Sequence, residues 1–337
     1  MAAIHAWAAP AARSPLEPFE FDPGPLKADE VEVEVAYCGI CHSDLSLIDN
    51  EWRISTYPLV PGHEVVGRVV ALGPEAKGVS VGQRVGIGWN SESCLHCRPC
   101  LSGNQHLCPS AVGTAVGHHG GFADRVRAQW PWVIPLPEGL DPALAGPLLC
   151  GGITVFAPLA TFDVKPTDRV GVVGIGGLGH MALQFANAWG CEVTAFTSTS
   201  SKGEEAKALG AHHVVPSRDS NAIRAISGTL DMLLVTVNVS LDWPAMMATL
   251  APKGRMHMVG AVLKPMPVMA FDLINGQNSV SGSPTGAPVT ISQMLEFAAR
   301  HGVKPYVEHF PLANVNDALA RLKEGAARYR IVLDVKG

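Results

Sequence analysis

Arg169-Val-Gly-Val-Val-Gly174-Ile-Gly176-Gly177-Leu178-Gly179-His-Met-Ala-Leu-Gln-Phe-Ala-Asn-Ala-Trp189 decides the fold. The apolar run 169–173 reads as a β-strand, and residues 178–189 read as a helix, with a glycine cluster between them. In that setting Gly174 suits the tight turn, Gly176 lets backbone approach a pyrophosphate, and Gly179 permits close packing of helix on strand. Gly177 and Leu178 lead into a helix N-terminus whose free N–H groups and positive dipole end suit phosphates. The motif is weak when isolated, and it is the flanking strand and helix that make it a dinucleotide-binding turn.

About 20 residues further on, an acidic side chain would bind the ribose 2′-hydroxyl of NAD. Here the sequence reads Thr197-Ser198-Thr199-Ser200-Ser201-Lys202, with no carboxylate before Glu204. Hydroxyl donors and a cation suit a 2′-phosphate, so this stretch favours NADP. The competing reading is a solvated loop whose hydroxyls cap the next helix.

Outward from this turn the strand–helix alternation continues, with strands expected at 191–197, near Val214, at 232–237 and at 256–259 and a helix ending at Gly210. That grammar predicts a parallel, doubly wound α/β sheet. Before residue 145 the pattern differs. Glu30-Val-Glu-Val-Glu-Val35 alternates strictly, which predicts a half-buried strand with Val31, Val33 and Val35 on its covered face. Further short strands at 65–71 and 84–87, broken by Gly73, Gly78 and Gly82, suggest a compact, mostly β domain. After Pro288 come two amphipathic helices, one with Ile291, Met294, Leu295 and Ala298 on a stripe, one with Val315, Ala318, Leu319 and Leu322. A strand at 331–335 closes the chain.

The 337 residues are 47% hydrophobic and 16% charged, which suits a globular protein of two domains rather than a disordered chain. Twenty-five basic against 30 acidic residues give a net charge of −5 without any basic cluster, so neither nucleic acid nor anionic membrane is an expected partner. Two uncharged stretches of membrane length, 142–162 and 171–191, are broken by Pro142, Pro147 and Pro158 and by the glycine cluster, so neither reads as a spanning helix. No secretory signal is visible at the start, and a cytoplasmic location is expected.

Eight cysteines in such a chain point to metal or free thiols rather than disulfides. Cys94-x2-Cys97-x2-Cys100-x7-Cys108 offers four thiolates to one tetrahedral zinc, a closed site that pins a lobe and cannot activate substrate. A zinc ribbon for nucleic acid is the competing reading, which the acidic balance disfavours. Cys41 in Cys38-Gly-Ile-Cys41-His42-Ser43-Asp44, His63 in Pro61-Gly-His63-Glu64 and Cys150 in Pro147-Leu-Leu-Cys150-Gly-Gly would form an open Cys2His zinc set with a fourth corner for water or a carbonyl oxygen. From spacing alone each could equally be a core residue. Cys38 and Cys191 read as buried thiols. The pair His118-His119, flanked by Gly120 and Gly121, reads as surface loop.

These motifs in this order resemble the zinc-dependent medium-chain alcohol dehydrogenases, specifically the cinnamyl alcohol dehydrogenase branch. Asp49-Asn-Glu-Trp52, Gly86-Ile-Gly-Trp89 and Gly146-Pro-Leu-Leu-Cys150-Gly-Gly-Ile-Thr-Val-Phe156 are similar to the bacterial NADPH-dependent broad-range aldehyde reductases of that branch. The resemblance runs along essentially the whole chain. It implies that Cys41, His63 and Cys150 bind a catalytic zinc, that Glu64 can approach the metal when the fourth ligand leaves, and that Asp44 orients the ligating histidine. It also makes Ser43 the hydroxyl that starts a proton relay. Where the family commonly has a histidine three positions on, this chain has Ser46, so water, the cofactor ribose or His42 would complete the relay. Ser198, Thr199 and Lys202 match the 2′-phosphate positions. Trp52, Ile54 and Trp89 match pocket walls suited to apolar or aromatic aldehydes, with plain core packing as the alternative for the tryptophans.

The implied architecture is a GroES-like, partly open β-barrel catalytic domain (1–145), a Rossmann NADP-binding domain (146–284) and a C-terminal return to the first domain (285–337). Zinc, nicotinamide and substrate are expected between the domains, and a homodimer through edge strands around 265–283. The implied reaction is reversible hydride transfer between NADPH and an aldehyde, with Zn2+ polarising the carbonyl and Ser43 supplying the proton. Two alternatives stand beside it. One is an NAD-linked polyol or secondary-alcohol dehydrogenase, and the other is a zinc-stabilised cofactor-binding regulatory protein without catalysis.

Overall fold

The strand Arg169–Val173 and the helix Gly179–Trp189 form where the opening motif puts them. In a computed structural model, which describes residues 3–198 and 202–336, this strand lies inside a six-stranded sheet. Its spatial order is His213–Pro216, Glu192–Thr197, Arg169–Val173, Leu230–Val235, Leu250–Met258, Ser279–Gly282, and every pairing is parallel. The first strand in sequence is thus central, and order reverses beside it, which is the doubly wound arrangement. Val170, Val172, Val193, Ala195, Leu233 and Val235 are almost fully buried, as strands covered on both faces require. Trp243, Met246 and Met247 of the helix Trp243–Ala248 pack into the same core.

The mostly β part is organised by one long strand, Glu30–Ile40. It pairs antiparallel with Val65–Leu72 on one edge and, on the other, with Arg125–Gln129 over its first half and Arg330–Asp334 over its second. Register shifts near Glu32 and Val35 bend it, as bulges do, so one strand serves two directions of an open, barrel-like sheet. Val31, Val33 and Val35 are buried as expected, but the strand is not half-buried: Glu30 and Glu32 are covered too. The cause is Arg127, whose guanidinium meets Glu32 at 2.8 Å, so the outward face carries a covered ion pair that alternation cannot reveal. Arg125 reaches the other oxygen of the same carboxylate at 3.2 Å, so two guanidinium groups share it.

The helix Pro288–His301 buries Ile291, Met294, Leu295 and Ala298, the expected stripe. The helix Val315–Lys323 buries Val315, Ala318 and Leu319, while Leu322 is only partly covered. His119 is not a surface residue: it is half-buried, with its ring 4.2 Å from that of Phe21. The molecule divides into two units, 1–153 with 285–337, and 154–284. The first break therefore falls after Ile153 rather than at 146. The turn Gly146–Leu149 belongs with the β unit: a side chain at Gly146 would strike the Glu64 carbonyl, and one at Gly86 would strike Leu149. Among the described residues no single helix is long and apolar enough to cross a membrane.

Candidate metal centre and cofactor loop

Cys41 caps the helix His42–Ile48, and the third residue of that helix, Asp44, reaches back to accept the Cys41 backbone N–H at 2.9 Å. Asp44 is fully buried and also accepts the Gly62 N–H at 2.9 Å and lies 3.0 Å from His63 Nδ1. One carboxylate thus ties the cysteine segment to the histidine segment. Cys150 sits at the break between the turn Gly146–Leu149 and the helix Gly151–Thr161. Its Sγ lies 4.0 Å from Cys41 Sγ. Ligand atoms of Cys41, His63, Glu64 and Cys150 all fall within 4.8 Å of one another. With Zn–S bonds of about 2.3 Å at tetrahedral angles, two sulfurs on one ion lie about 3.8 Å apart, so the spacing fits. The histidine fits as well: Nδ1 is committed to Asp44, and the buried Nε2 has no hydrogen-bond partner.

The electrostatics favour an anionic Cys41 sulfur, while its hydrogen bond to Cys41 and burial hold the Cys150 thiol well above its ordinary value. Cys41 is held well below the usual thiol range, first by the hydrogen bond from Cys150 and then, against burial, by the positive charge of Arg330. Burial alone would pull His63 down, but the charge and hydrogen bond of Asp44 outweigh it and hold the imidazole well above its ordinary value. Burial raises the Glu64 carboxyl, against the pull of Arg330.

Arg330 was not legible in the sequence. It opens the strand Arg330–Asp334, whose register Ile331↔Ile40 and Leu333↔Cys38 sets it one step beyond, against Cys41. There its guanidinium donates to Glu64 Oε1, and a second nitrogen lies 3.9 Å from Cys41 Sγ. Arg330 and Glu64 are 5% and 0% exposed. Gly39 completes the cradle, because a Cβ there would lie 2.0 Å from Glu64 Oε2. That glycine, in the quoted Cys38-Gly-Ile-Cys41 motif, was the only local signal of the pair.

Ser43 Oγ lies 3.6 Å from Cys41 Sγ. Ser46, one turn on, is buried and donates to Glu51 Oε2 at 2.8 Å, whereas His42 is exposed. The Trp89 ring packs edge-on at 4.9 Å from the His63 ring, and the Trp52 ring lies 6.0 Å from that of Trp89. Ile54 is 47% exposed.

The second cluster is local. Cys94, Cys97, Cys100 and Cys108 bring four sulfurs within 4.8 Å of one another, with Cys94 at 4.0 Å from Cys100 and 3.6 Å from Cys108. The short helix Arg98–Leu101 carries Cys100 back toward Cys94. Backbone N–H groups of His96 and Cys97 pull the Cys94 thiol down to about 6. Four sulfurs at these separations match a closed tetrahedral zinc site.

In the other unit Gly174 adopts φ 91°, and a Cβ on Gly179 would lie 1.8 Å from the Gly174 carbonyl oxygen, so both glycines are sterically required. Gly176 faces open space, and Gly177 and Leu178 lead into the helix, with Leu178 at its cap. Lys202 donates from Nζ to the Ile175 carbonyl at 3.1 Å, which turns its ammonium group to the glycine loop. Ser198 is exposed just past its strand, and Thr199 lies outside the described residues.

Residues 27–138 match the alcohol dehydrogenase GroES-like domain, and residues 177–300 match the zinc-binding dehydrogenase family. An aldehyde reductase, AdhA, of Synechocystis is 56% identical over 330 residues, 98% of each chain. The chain belongs to the zinc-dependent medium-chain alcohol dehydrogenases, in the cinnamyl alcohol dehydrogenase branch. Among solved structures, a cinnamyl alcohol dehydrogenase of Sorghum bicolor aligns at a TM-score of 0.95 and 38% identity, covering 100% of this chain and 98% of that one. A Helicobacter pylori enzyme of that class, solved with NADP(H), aligns at 0.91 and 28% identity over 99% of this chain and 98% of its own.

Proposed function

We propose that the protein reduces aldehydes to primary alcohols with NADPH, reversibly, using a catalytic zinc held by Cys41, His63 and Cys150 and a structural zinc held by Cys94, Cys97, Cys100 and Cys108. The observation that carries the reading is the buried His63 Nε2, without a hydrogen-bond partner and grouped with two thiols and a carboxylate. A polar atom left so costs about 1–3 kcal/mol, and a metal ion is the partner that removes the cost. Bound zinc supplies Lewis-acid polarisation of a carbonyl and NADPH supplies hydride. The protein's own residues do the rest. Asp44 fixes the tautomer and direction of the His63 ring. Ser43, beside Cys41, gives a proton to the product oxygen in reduction and takes it back in oxidation. The Ser46–Glu51 hydrogen bond supports a path from that helix face to solvent in place of a histidine.

Trp52 and Trp89, with Ile54, form an apolar wall that favours aliphatic or aromatic aldehydes over polyols. Lys202, with Ser198 and Thr199, supports NADPH over NADH, and the NADP(H) bound to the Helicobacter pylori neighbour supports the same choice. The working unit in this reading is a cytoplasmic homodimer joined through the edge strand Ser279–Gly282, in line with the exposed Leu263, Met269, Phe271 and Ile274 in the segment leading to it. Assaying a panel of aldehydes with NADPH and NADH in turn, alongside zinc analysis, tests the proposal. NADPH preference with two zinc ions per chain is expected. A clear NADH preference overturns the cofactor choice, and one zinc or none overturns the metal centre.

A further inference from the structure

The pocket wall has a backbone problem that no strand solves. Trp89 stands with Gly88 in the two-residue step between the strands Arg84–Ile87 and Asn90–Glu92, which belong to different sheets, so the two carbonyls have no ladder to join. Gly88 is buried, and a buried carbonyl needs a partner. Thr114, itself fully buried, serves both residues: its N–H donates to the Trp89 carbonyl at 2.8 Å and its hydroxyl to the Gly88 carbonyl at 2.6 Å. The loop that carries Thr114 is anchored in turn, because Gly120 and Gly121 donate to the carbonyls of Val60 and Gly62 at 2.9 and 2.8 Å, on the segment that leads to His63. On its other side Gly88 is pressed to the segment that leads to Cys150, since a Cβ there would lie 2.6 Å from the Leu149 carbonyl oxygen. The Trp89 ring meets the His63 ring edge-on at 4.9 Å, so the depth of the wall beside that histidine follows from where Thr114 holds the chain. We infer that Thr114 is a positioning residue that sets Trp89 beside His63 and, through it, the preference of the site for aromatic over short aliphatic aldehydes. This rests on the reading of the protein as an aldehyde reductase with Trp89 in its pocket wall.

Steady-state kinetics of the holoenzyme with benzaldehyde and with acetaldehyde test this, read as the ratio of the two kcat/KM values. Trp89→Leu is expected to lower the benzaldehyde-to-acetaldehyde ratio about three- to tenfold, the loss of one ring contact. Thr114→Val keeps the shape and removes the hydroxyl. It is expected to lower the ratio at least about threefold through a raised KM for benzaldehyde, with kcat for acetaldehyde within about twofold of wild type. Thr114→Ser keeps the hydroxyl donor and is expected to hold the ratio within about 1.5-fold of wild type. In the Trp89→Leu background Thr114→Val is expected to shift the ratio by less than about 1.5-fold, because the ring it positions is gone. Thr114→Ala serves with the same thresholds if the valine variant does not fold. An unchanged ratio in Thr114→Val, an equal loss with both aldehydes, a serine variant that behaves like the valine one, or an effect that persists in the Trp89→Leu background overturns the role of Thr114. A Trp89→Leu ratio equal to that of wild type overturns the wall reading, and wild type that turns over neither aldehyde overturns the reductase reading, each taking this inference with it.

Discussion

The lobe at 94–108 draws four sulfurs from a single loop, whereas Cys41, His63 and Cys150 come from a helix cap, a strand entry and a helix break far apart in sequence. A metal held by the loop cluster would have every coordination position on protein, and backbone N–H groups of His96 and Cys97, with the Cys97 and Cys108 thiols, draw its Cys94 thiol down. The dispersed set, proposed as three ligands, has more elaborate surroundings: Asp44 behind the histidine, the Arg330–Glu64 pair beside the sulfur. A closed metal site needs only a loop. A dispersed one needs separate elements that only the fold brings together.

The contrast breaks most sharply under cysteine removal. Cys150→Ala is expected to lower kcat/KM at least about 10³-fold while the melting temperature moves by no more than about 4 °C, measured by aldehyde turnover and thermal denaturation. Cys100→Ala is expected to do the reverse. Losing the lobe metal costs several kcal/mol and drops the melting point by roughly 6–12 °C, with activity falling only as far as folded protein is lost. If both variants behaved alike in the two assays, the division of labour would be wrong.

A smaller effect sharpens the role of the buried carboxylate. Asp44→Asn keeps an acceptor for only one of the two backbone N–H groups and removes the charge behind His63, so metal affinity at the dispersed set is expected to fall about 10–100-fold, with the lobe unaffected. Chelator competition on the two zinc ions separately reads this out.

Two buried histidines carry the comparison into the other unit. His63 is held up by Asp44, whereas His257 sits between the hydroxyls of Ser281 and Ser283, each at 2.9 Å, and burial, helped by the Arg255 charge, pushes it from 6.5 down to about 4. Between pH 6.5 and 4 the unfolded chain takes up a proton at this residue that the folded one refuses, so stability falls as pH falls through that window and is fully present above it. The expected loss is about 2 kcal/mol after allowance for solvent screening. Urea unfolding at pH 7 and pH 4.5 checks it, and His257→Gln should flatten that part of the slope.

What the sequence disclosed follows from how local each feature is. The glycine turn, the four-cysteine spacing and the Ile291, Met294, Leu295 and Ala298 stripe are set by neighbours in the chain, and each appears where its pattern puts it. The pairings it concealed are set by strand register. Arg330 and Glu64 stand 266 positions apart and Arg127 and Glu32 95 apart, and no periodicity encodes which charge meets which across a sheet. The unit break was misplaced for another reason. The boundary at 146 came with the resemblance, whereas the turn Gly146–Leu149 packs among the β-strands where Gly86 and Gly88 leave room for Leu149.

The claim on which the whole account turns is a metal bound by three protein ligands, and anomalous scattering at the zinc edge from crystals of the untreated protein tests it most directly. The account predicts two peaks per chain, one inside the 94–108 lobe and one bonded to Cys41, His63 and Cys150. A map with no peak at those three residues would contradict it.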